Sequence, residues 1–363
     1  MRNGWRVSTI VWDRSAKMAT DTDGKTVVSL PAGSQSAAML LKMPLLYRRI
    51  LGQLENLRPD MLLITHYFLL PVAAMVSGSS TVKIYDAPEY FCMDMPDYFG
   101  PAAGTVRHAA RLLERILIRP VHGVIAVDSR DSWFADYYRN MGKHVEVILN
   151  VPATSSSARD DSEGTVDRYG EINRKIVAYA GSLKASKGVL TALQAANLVR
   201  KQDESVLFEF IGPWQKGREK IEAEVNRLNL HDHVRFTGPC SYAKMLARLS
   251  RARVGLALLQ GKRYEYSGPG NSRKIFSYMQ AGIPIIASNT GVACSLVKET
   301  GCGTLVGADS PESIAEAISA YLADRNLALE HGASGRLAFE QTYNWEKEKQ
   351  KFTNYINVLM QHN

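Results

Sequence analysis

The sequence predicts an α/β fold in which two doubly wound, parallel-sheet domains face each other across a cleft. Three observations predict this fold. Short apolar segments alternate with amphipathic ones along almost the whole chain, as in repeated β-α units. The apolar segments are continuous runs, which is typical of parallel strands buried on both faces. A polar stretch rich in Ser and Asp interrupts the pattern near the middle, at residues 151–171.

The predicted strands are the apolar runs, taken in chain order. They cover residues 6–12, 25–30, 61–66, 81–86, 123–128, 145–150, 175–181, 206–212, 233–238, 254–259, 283–288 and 303–307. The segments between them carry apolar residues at helical spacing and predict helices. These helices include residues 36–57, 103–119, 131–141, 187–202, 216–229, 241–251, 273–281 and 311–323.

The length of 363 residues indicates about two domains. We predict a first domain over residues 1–155, a linker over 156–171, a second domain over 172–342 and a final helical segment over 343–363. Ligands of doubly wound sheets bind beyond the carboxyl ends of the strands. The loops that follow the predicted strands of the second domain are therefore expected to line the cleft.

Charge and cysteine usage narrow the class of protein. The formal net charge of +8 favours an anionic partner, but the basic residues are scattered, which argues against a nucleic-acid groove. The four cysteines, at positions 92, 240, 294 and 302, form no C-x-x-C pair. This spacing indicates a reducing compartment and argues against a structural zinc site.

The sequence predicts a cytoplasmic protein that can also lie on the inner face of a membrane. The first residues lack the apolar core of a signal peptide, and the most apolar window, residues 61–76, is too short to span a bilayer. Two basic amphipathic segments, residues 40–54 and 107–120, would suit an anionic membrane surface. Core helices with a hydrated basic face explain the same two segments equally well.

A turn and helix in the second half predict an anion site. In "GPGNSRKIFSYMQAGIPIIASN" (268–289), Arg273 and Lys274 stand in the first turn of a predicted helix, where the helix dipole is already positive. A phosphate bound at that end would explain the two cations. The alternative is an ordinary loop-helix-strand unit with exposed basic residues.

Three other strand ends in this half carry glycine. In "YAGSLKASKG" (179–188), Gly181 ends a strand and Lys187 precedes a helix, so the loop could approach a phosphate closely. Gly212 and Gly238 end two further strands and would present bare backbone to a planar base. A solvated first helical turn and two tight turns are the alternatives.

In the first half, ionisable residues follow two successive predicted strands. They are His66, and then Asp86 and Glu89. Carboxylates just beyond a strand could bind sugar hydroxyls or accept a proton. The alternatives are a hydrogen-bonded structural histidine under a helix and, for Asp86, a helix N-cap.

The order of these motifs resembles the retaining glycosyltransferases of the GT-B architecture, in the group 1 or family 4 class. The resemblance runs through "YAGSLKASKG", "FIGP", "VRFTGP", "GNSRKIFSYMQAGIPIIASNTG" and "YNWEKEKQKF", about half of the chain. The first half is more loosely similar to the acceptor-side domain. The resemblance implies transfer of a sugar from a UDP- or GDP-sugar to a glycan or lipid-linked acceptor in surface polysaccharide synthesis, without an obligatory metal.

The resemblance also implies roles for individual residues. Lys187 matches the lysine that binds the donor diphosphate, and Lys184 could replace an arginine that many members place after the strand-end glycine. The implied donor-binding residues are Gly181, Lys184, Lys187, Gly212, Phe236, Gly238, Gly270, Asn271, Ser272, Arg273, Lys274 and Ser277. The implied catalytic candidates are Lys187, Asp86, Glu89 and His66.

The chain departs from the family pattern at three places. Ser277 stands where the family has a ribose-binding glutamate, and Pro88 stands where it has a histidine. We also expect the first domain to lack the usual first strand, its Gly-rich turn and most of the first helix, either because Met1 is not the natural start or because the acceptor-side domain is degenerate. These departures favour an alternative function as a non-catalytic glycosyltransferase-like subunit that binds a partner or a glycan. A nucleotide-sugar epimerase fits less well, because the second half offers few histidines.

Overall fold

A computed structural model describes residues 5–13, 25–29, 37–76, 80–88, 90, 92, 103–127, 133–154, 175–259 and 273–361. Its contacts divide the chain into two compact units. The first unit comprises Met1–Ala126, Asp136–Glu146 and Tyr355–Asn363, and the second comprises Val127–Ala135 and Val147–Asn354. The domain boundaries that we place at residues 155, 171 and 342 stay a prediction.

The amino-terminal part of the chain alternates strands and helices as predicted. Its strands are β1 (Thr9–Asp13), β2 (Lys25–Ser29), β3 (Met61–Ile64), β4 (Val82–Ala87), β5 (Gly123–Ala126) and β6 (His144–Val147). Its helices are α1 (Ala37–Leu57), α2 (Leu70–Met75), α3 (Ala103–Leu117) and α4 (Trp133–Arg139). These strands form two sheets, the parallel pair β1–β2 and a sheet of order β3-β4-β5-β6.

Helix α1 supplies a core of the first unit. Its residues Met43, Leu46, Ile50 and Leu54 are buried and form one apolar cluster with Val72 of α2. Partly buried side chains of β1 and β3 pack against the same cluster. The apolar face of α1 is therefore a core face, and its basic residues are on the opposite, solvated side.

The carboxyl-terminal part of the chain carries a larger sheet. Its strands are β7 (Lys175–Ala180), β8 (Val206–Ile211), β9 (Val234–Gly238), β10 (Val254–Ala257), β11 (Ile285–Ser288) and β12 (Gly303–Val306). Its helices are α5 (Val189–Arg200), α6 (Arg218–Arg227), α7 (Tyr242–Leu249), α8 (Arg273–Ala281), α9 (Gly291–Thr300), α10 (Pro311–Ala323), α11 (Arg325–Gln341) and α12 (Trp345–Gln361). The strand order is β12-β11-β10-β7-β8-β9, and neighbouring strands are parallel.

This strand order has a reversal at its centre. From β7 the chain adds β8 and β9 on one side, and it then returns to add β10, β11 and β12 on the other. The strands β8, β10 and β11 are buried along their whole length, as continuous apolar runs predict. The predicted doubly wound α/β fold is confirmed. The reversal between β7 and β10 is the place where such sheets bind ligands.

Helix α12 holds the chain segment that leaves β6. The buried Glu348 carboxylate accepts a hydrogen bond from the Leu149 N–H at 2.8 Å. It also forms an ion pair with Lys351 at 2.5 Å. The Trp345 N–H donates to the Pro152 carbonyl at 3.0 Å. Residues 149–154 therefore belong structurally with α12. Among the described helices, none is both long and apolar enough to cross a membrane.

Candidate functional site

Three glycines lie side by side at the carboxyl ends of β7, β8 and β9. Gly181, Gly212 and Gly238 all have positive φ, at 136°, 149° and 71°. The Gly181 N–H donates to the Ile211 carbonyl at 2.9 Å, and the Gly212 N–H donates to the Gly238 carbonyl at 3.1 Å. The predicted bare backbone is therefore present, as one row without side chains that we call the glycine row.

Lys187 is fixed where the chain turns from β7 into α5. It ends a short 3-10 helix, Ala185–Lys187, whose first turn is closed by the Lys187 N–H donating to the Lys184 carbonyl at 2.9 Å. The Lys187 carbonyl accepts a hydrogen bond from the Tyr179 hydroxyl at 2.9 Å. Strand β7 therefore holds the backbone of this lysine beside its own carboxyl end.

Lys274, from α8, reaches the same strand end. Its ammonium lies 3.9 Å from the centre of the Tyr179 ring, within the range of a cation-π contact. A Cβ added to Gly181 would meet the Lys274 Cε at 3.5 Å, an ordinary van der Waals distance, so the lysine side chain lies directly beside this glycine. Burial, and then the positive charge of Lys187, lower the pKa of Lys274 to about 7. The structure thus brings together three of the predicted donor-binding residues, Gly181, Lys187 and Lys274. Their role in binding a donor stays a prediction.

Tyr278 positions α8 against the reversal of the sheet. Its buried hydroxyl donates to the Leu256 carbonyl of β10 at 3.0 Å and accepts from the Ala180 N–H of β7 at 2.9 Å. The direct pairing of β7 and β10 ends before these residues, at Ala178 and Gly255. The tyrosine hydroxyl therefore bridges the two strands where they part. Sequence reasoning missed this residue, although it stands in the quoted "KIFSYM".

Ser277 lies one turn into α8 and is buried. Its hydroxyl donates to the Arg273 carbonyl at 3.2 Å and lies 3.4 Å from the Tyr242 hydroxyl of α7. The Tyr242 hydroxyl donates to the Gln280 side chain at the shorter distance of 2.6 Å. Where the resemblance implies a glutamate, the chain therefore has a small hydroxyl beside a tyrosine–glutamine pair. The ribose contact at Ser277 stays a prediction.

The structure describes some of the remaining predicted donor-site residues but not all of them. The partly buried Phe236 ring packs against Phe210 and Trp214, with ring centres 5.2 Å and 4.7 Å away. Lys184 and Arg273 lie at the starts of the 3-10 helix and of α8. Gly270, Asn271 and Ser272, together with Glu89, lie outside the described residues.

His66 and Asp86 belong to the first unit. His66 caps a short 3-10 helix, because its Nδ1 accepts from the Phe68 N–H at 3.2 Å and its ring stacks on the Phe68 ring. This geometry is that of the structural alternative. Asp86 lies within β4, so it is not a helix N-cap. Burial raises the pKa of Asp86 to about 6, which is a suitable value for a group that exchanges a proton near neutral pH.

No group of three or more His, Cys, Asp or Glu side chains in the described parts of the chain is arranged to hold a metal ion. In the described parts of the chain, the positive charge at the carboxyl end of β7 comes from lysine side chains and from the start of α8. Backbone N–H groups and lysines are the usual protein ligands of phosphate groups. The arrangement can therefore bind an anion close to bare main chain.

The second half of the chain matches a known protein family. The family model described as glycosyl transferases group 1 matches residues 168–337. The chain is 25% identical over 191 residues to a GDP-mannose-dependent alpha-(1-6)-phosphatidylinositol monomannoside mannosyltransferase of Mycobacterium tuberculosis. That alignment covers 52% of this chain and 49% of the mycobacterial protein. The chain therefore spans about half the length of this curated relative.

Two solved structures show the fold. Sucrose-phosphate synthase from Thermosynechococcus elongatus superposes with a TM-score of 0.74 at 17% identity, covering 100% of this chain and 91% of that one. Anabaena HepE in complex with UDP and glucose gives a TM-score of 0.67 at 16% identity, covering 92% and 86%. Residues 168–337 are therefore similar to the group 1 glycosyl transferases and contain the whole six-stranded sheet, within a chain that has the GT-B fold of two parallel-sheet units.

Proposed function

We propose that this chain is a retaining glycosyltransferase that transfers a sugar from a UDP- or GDP-sugar to a glycan or lipid-linked acceptor. One observation carries the proposal: Lys187 and Lys274 come from two different elements and meet beside Gly181, at the reversal of the strand order. A nucleotide diphosphate bound there would face both cations. The glycine row would lie beside it and could offer its main chain to the base.

The proposed chemistry needs charge stabilisation at the leaving group. The bond between the sugar C1 and the β-phosphate oxygen breaks, and its electron pair goes to the diphosphate. The acceptor oxygen bonds to C1 from the same face, and the acceptor hydroxyl proton passes to a diphosphate oxygen. Lys187 and Lys274 oppose the charge that develops on the diphosphate, which is the contribution that a metal makes in other enzymes. Asp86 of β4 stays a candidate for binding sugar hydroxyls.

Nucleotide binding tests this proposal directly. We expect UDP or GDP to bind in isothermal titration calorimetry, and Lys187→Met to weaken binding by about tenfold or more, because a hydrogen bond to a charged group is worth about 1.5–3 kcal/mol. Lys220→Met is the matched control, since Lys220 is an exposed lysine of α6. Failure of both nucleotides to bind would contradict the proposal.

Turnover of UDP-glucose and GDP-mannose separates the enzyme from the alternative. We expect release of free nucleotide, with the anomeric configuration of the sugar kept in the product by NMR. Nucleotide binding without any turnover would instead support the non-catalytic subunit that Ser277 and Pro88 favour. Either donor can be active, because the mycobacterial relative is named for GDP-mannose and the Anabaena structure contains UDP.

We also propose that the protein contacts an anionic membrane surface. The two basic segments, residues 40–54 and 107–120, differ in how far their apolar side chains are exposed. In α1 the apolar residues are buried in the core. In α3 three large apolar side chains face solvent, with exposed fractions of 62% for Leu112, 49% for Leu113 and 49% for Ile116. The exposed Arg115 lies among them and Arg119 follows the helix. An apolar strip with basic neighbours suits an anionic bilayer, so we place the membrane contact on α3.

Vesicle co-sedimentation tests the membrane contact. We expect the protein to bind vesicles that contain phosphatidylglycerol better than vesicles of phosphatidylcholine alone, and less at high salt. Replacing Leu112 and Ile116 with glutamate is expected to reduce binding by about tenfold or more, since each buried CH₂ contributes about 0.8 kcal/mol. Leu337→Glu is the control, because Leu337 is equally exposed on α11. Equal binding by both variants would contradict this assignment.

A further inference from the structure

Lys274 occupies an unusual environment for a lysine. Its side chain is largely buried between the Tyr179 ring and the backbone of Gly181. It forms no ion pair with a carboxylate within the described ranges. The nearest cation that affects it is Lys187, on the turn that follows β7. Two lysines therefore share one small region at the carboxyl end of β7.

The groups that face Lys274 act in opposite directions. The Tyr179 ring favours the ammonium form through its negative face. Burial opposes the charged form, and the charge of Lys187 opposes it further. Arg273, the preceding residue of α8, is exposed, and its charge acts on Tyr242 of α7. The opposing effects are larger, and the pKa of Lys274 falls to about 7.

We propose that a nucleotide diphosphate enters this site together with a proton, which Lys274 takes up as the ligand binds. This inference rests on the proposed function. A neutral Lys274 relieves the repulsion from Lys187 while the site is empty. An anionic diphosphate beside the Nζ atom reverses the balance, because an opposite charge favours the ammonium form. The site thus gains its second full cation only when there is an anion to receive it.

Nucleotide affinity is expected to fall as the pH rises above the free pKa of Lys274. Below the free pKa, Lys274 already carries its proton, so binding takes up none there. Above that pKa each binding event must import a proton, and affinity is expected to fall by about tenfold for each pH unit until the raised, bound-state pKa is reached. Nucleotide affinity is therefore expected to be highest near pH 6–7, since the terminal phosphate itself gains a proton below about pH 6.

Calorimetry in two buffers measures the proton count. UDP and GDP are titrated into the full chain at pH 8.0 in Tris and in HEPES, which differ in their enthalpy of ionisation. The difference in observed heat gives the number of protons bound. From a free pKa of about 7, we expect Lys274 to take up about 0.9 proton at pH 8.0 and about 0.2 proton at pH 6.5.

Two variants assign the proton to Lys274. Lys274→Arg keeps a permanent charge, so we expect nucleotide binding without proton uptake and with little change in affinity between pH 7 and 8.5. Lys220→Met is expected to keep the wild-type uptake. Wild-type binding at pH 8.0 with no uptake, or unchanged uptake in Lys274→Arg, would overturn this inference and leave the proposed function standing. Failure of both UDP and GDP to bind would overturn the proposed function as well.

Discussion

Gly212→Ala is expected to lower the free energy of unfolding of the second unit by roughly 2–5 kcal/mol, from left-handed backbone strain and overpacking together. Gly212 has a φ of 149°, and a Cβ there would lie 2.1 Å from the Gly181 carbonyl oxygen. That oxygen is main chain and cannot rotate away. Moving it would displace Gly181, so nucleotide binding is expected to fall together with stability. Urea unfolding and UDP titration measure the two effects.

Gly238→Ala is the matched control for this substitution. Gly238 is also a strand-end glycine with positive φ, but a Cβ there meets nothing within 4 Å. Gly238→Ala is therefore expected to lower the free energy of unfolding by backbone strain alone, about 1–2 kcal/mol. If the two alanine variants unfold at the same urea concentration, then the close approach between Gly212 and Gly181 does not determine the stability of the glycine row.

Tyr278→Phe is the second large expected effect. It removes one hydroxyl but leaves two backbone groups, the Ala180 N–H and the Leu256 carbonyl, without that partner in the buried interior. Each buried group left unsatisfied costs about 1–3 kcal/mol, so we expect a loss of roughly 2–4 kcal/mol in urea unfolding. We also expect weaker UDP binding, because the hydroxyl bridges β7 and β10 beside Lys274.

Tyr343→Phe controls for the loss of a tyrosine hydroxyl in general. The Tyr343 hydroxyl donates to Glu299, whose carboxylate is exposed and can exchange this bond for water. We expect a loss of no more than about 1 kcal/mol and unchanged UDP binding. Equal losses in the two phenylalanine variants would show that the bridge between β7 and β10 contributes nothing special.

Most of the fold could be predicted because a buried parallel strand is recognisable from a short run of apolar residues in the sequence. A run such as residues 206–211 is apolar apart from Glu209, and it is buried throughout. Helix α11 was harder to predict, because its sequence contains Gly332 and Gly335, which lower helix propensity. Those glycines serve close packing: a Cβ on Gly332 would lie 2.5 Å from the Gly282 carbonyl oxygen. Tertiary contact therefore outweighs local propensity in this helix.

The candidate site was predictable only in its local parts. Glycines at strand ends and lysines at helix starts are motifs of a few residues, and Gly181, Lys187 and Lys274 were found that way. The Tyr278 hydroxyl bonds to Ala180 across 98 residues of chain, and Tyr242 lies 35 residues from Ser277. No short motif encodes such pairs. Which side chains meet at the reversal of the sheet could therefore not be read from the sequence.

The contacts of α12 have a practical consequence for dissecting this protein. A fragment that began at residue 172 would contain every strand of the six-stranded sheet, yet it would lack Leu149, Pro152 and Thr154. The Glu348 carboxylate would then lose the hydrogen bond from the Leu149 N–H. Within the described part of the chain, Lys351 would remain as the hydrogen-bond partner of this buried carboxylate. A buried carboxylate that loses a hydrogen-bond donor is left partly unsatisfied, which costs about 1–3 kcal/mol. A truncated version of the second unit should therefore keep residues 147–154 together with the six-stranded sheet and α12.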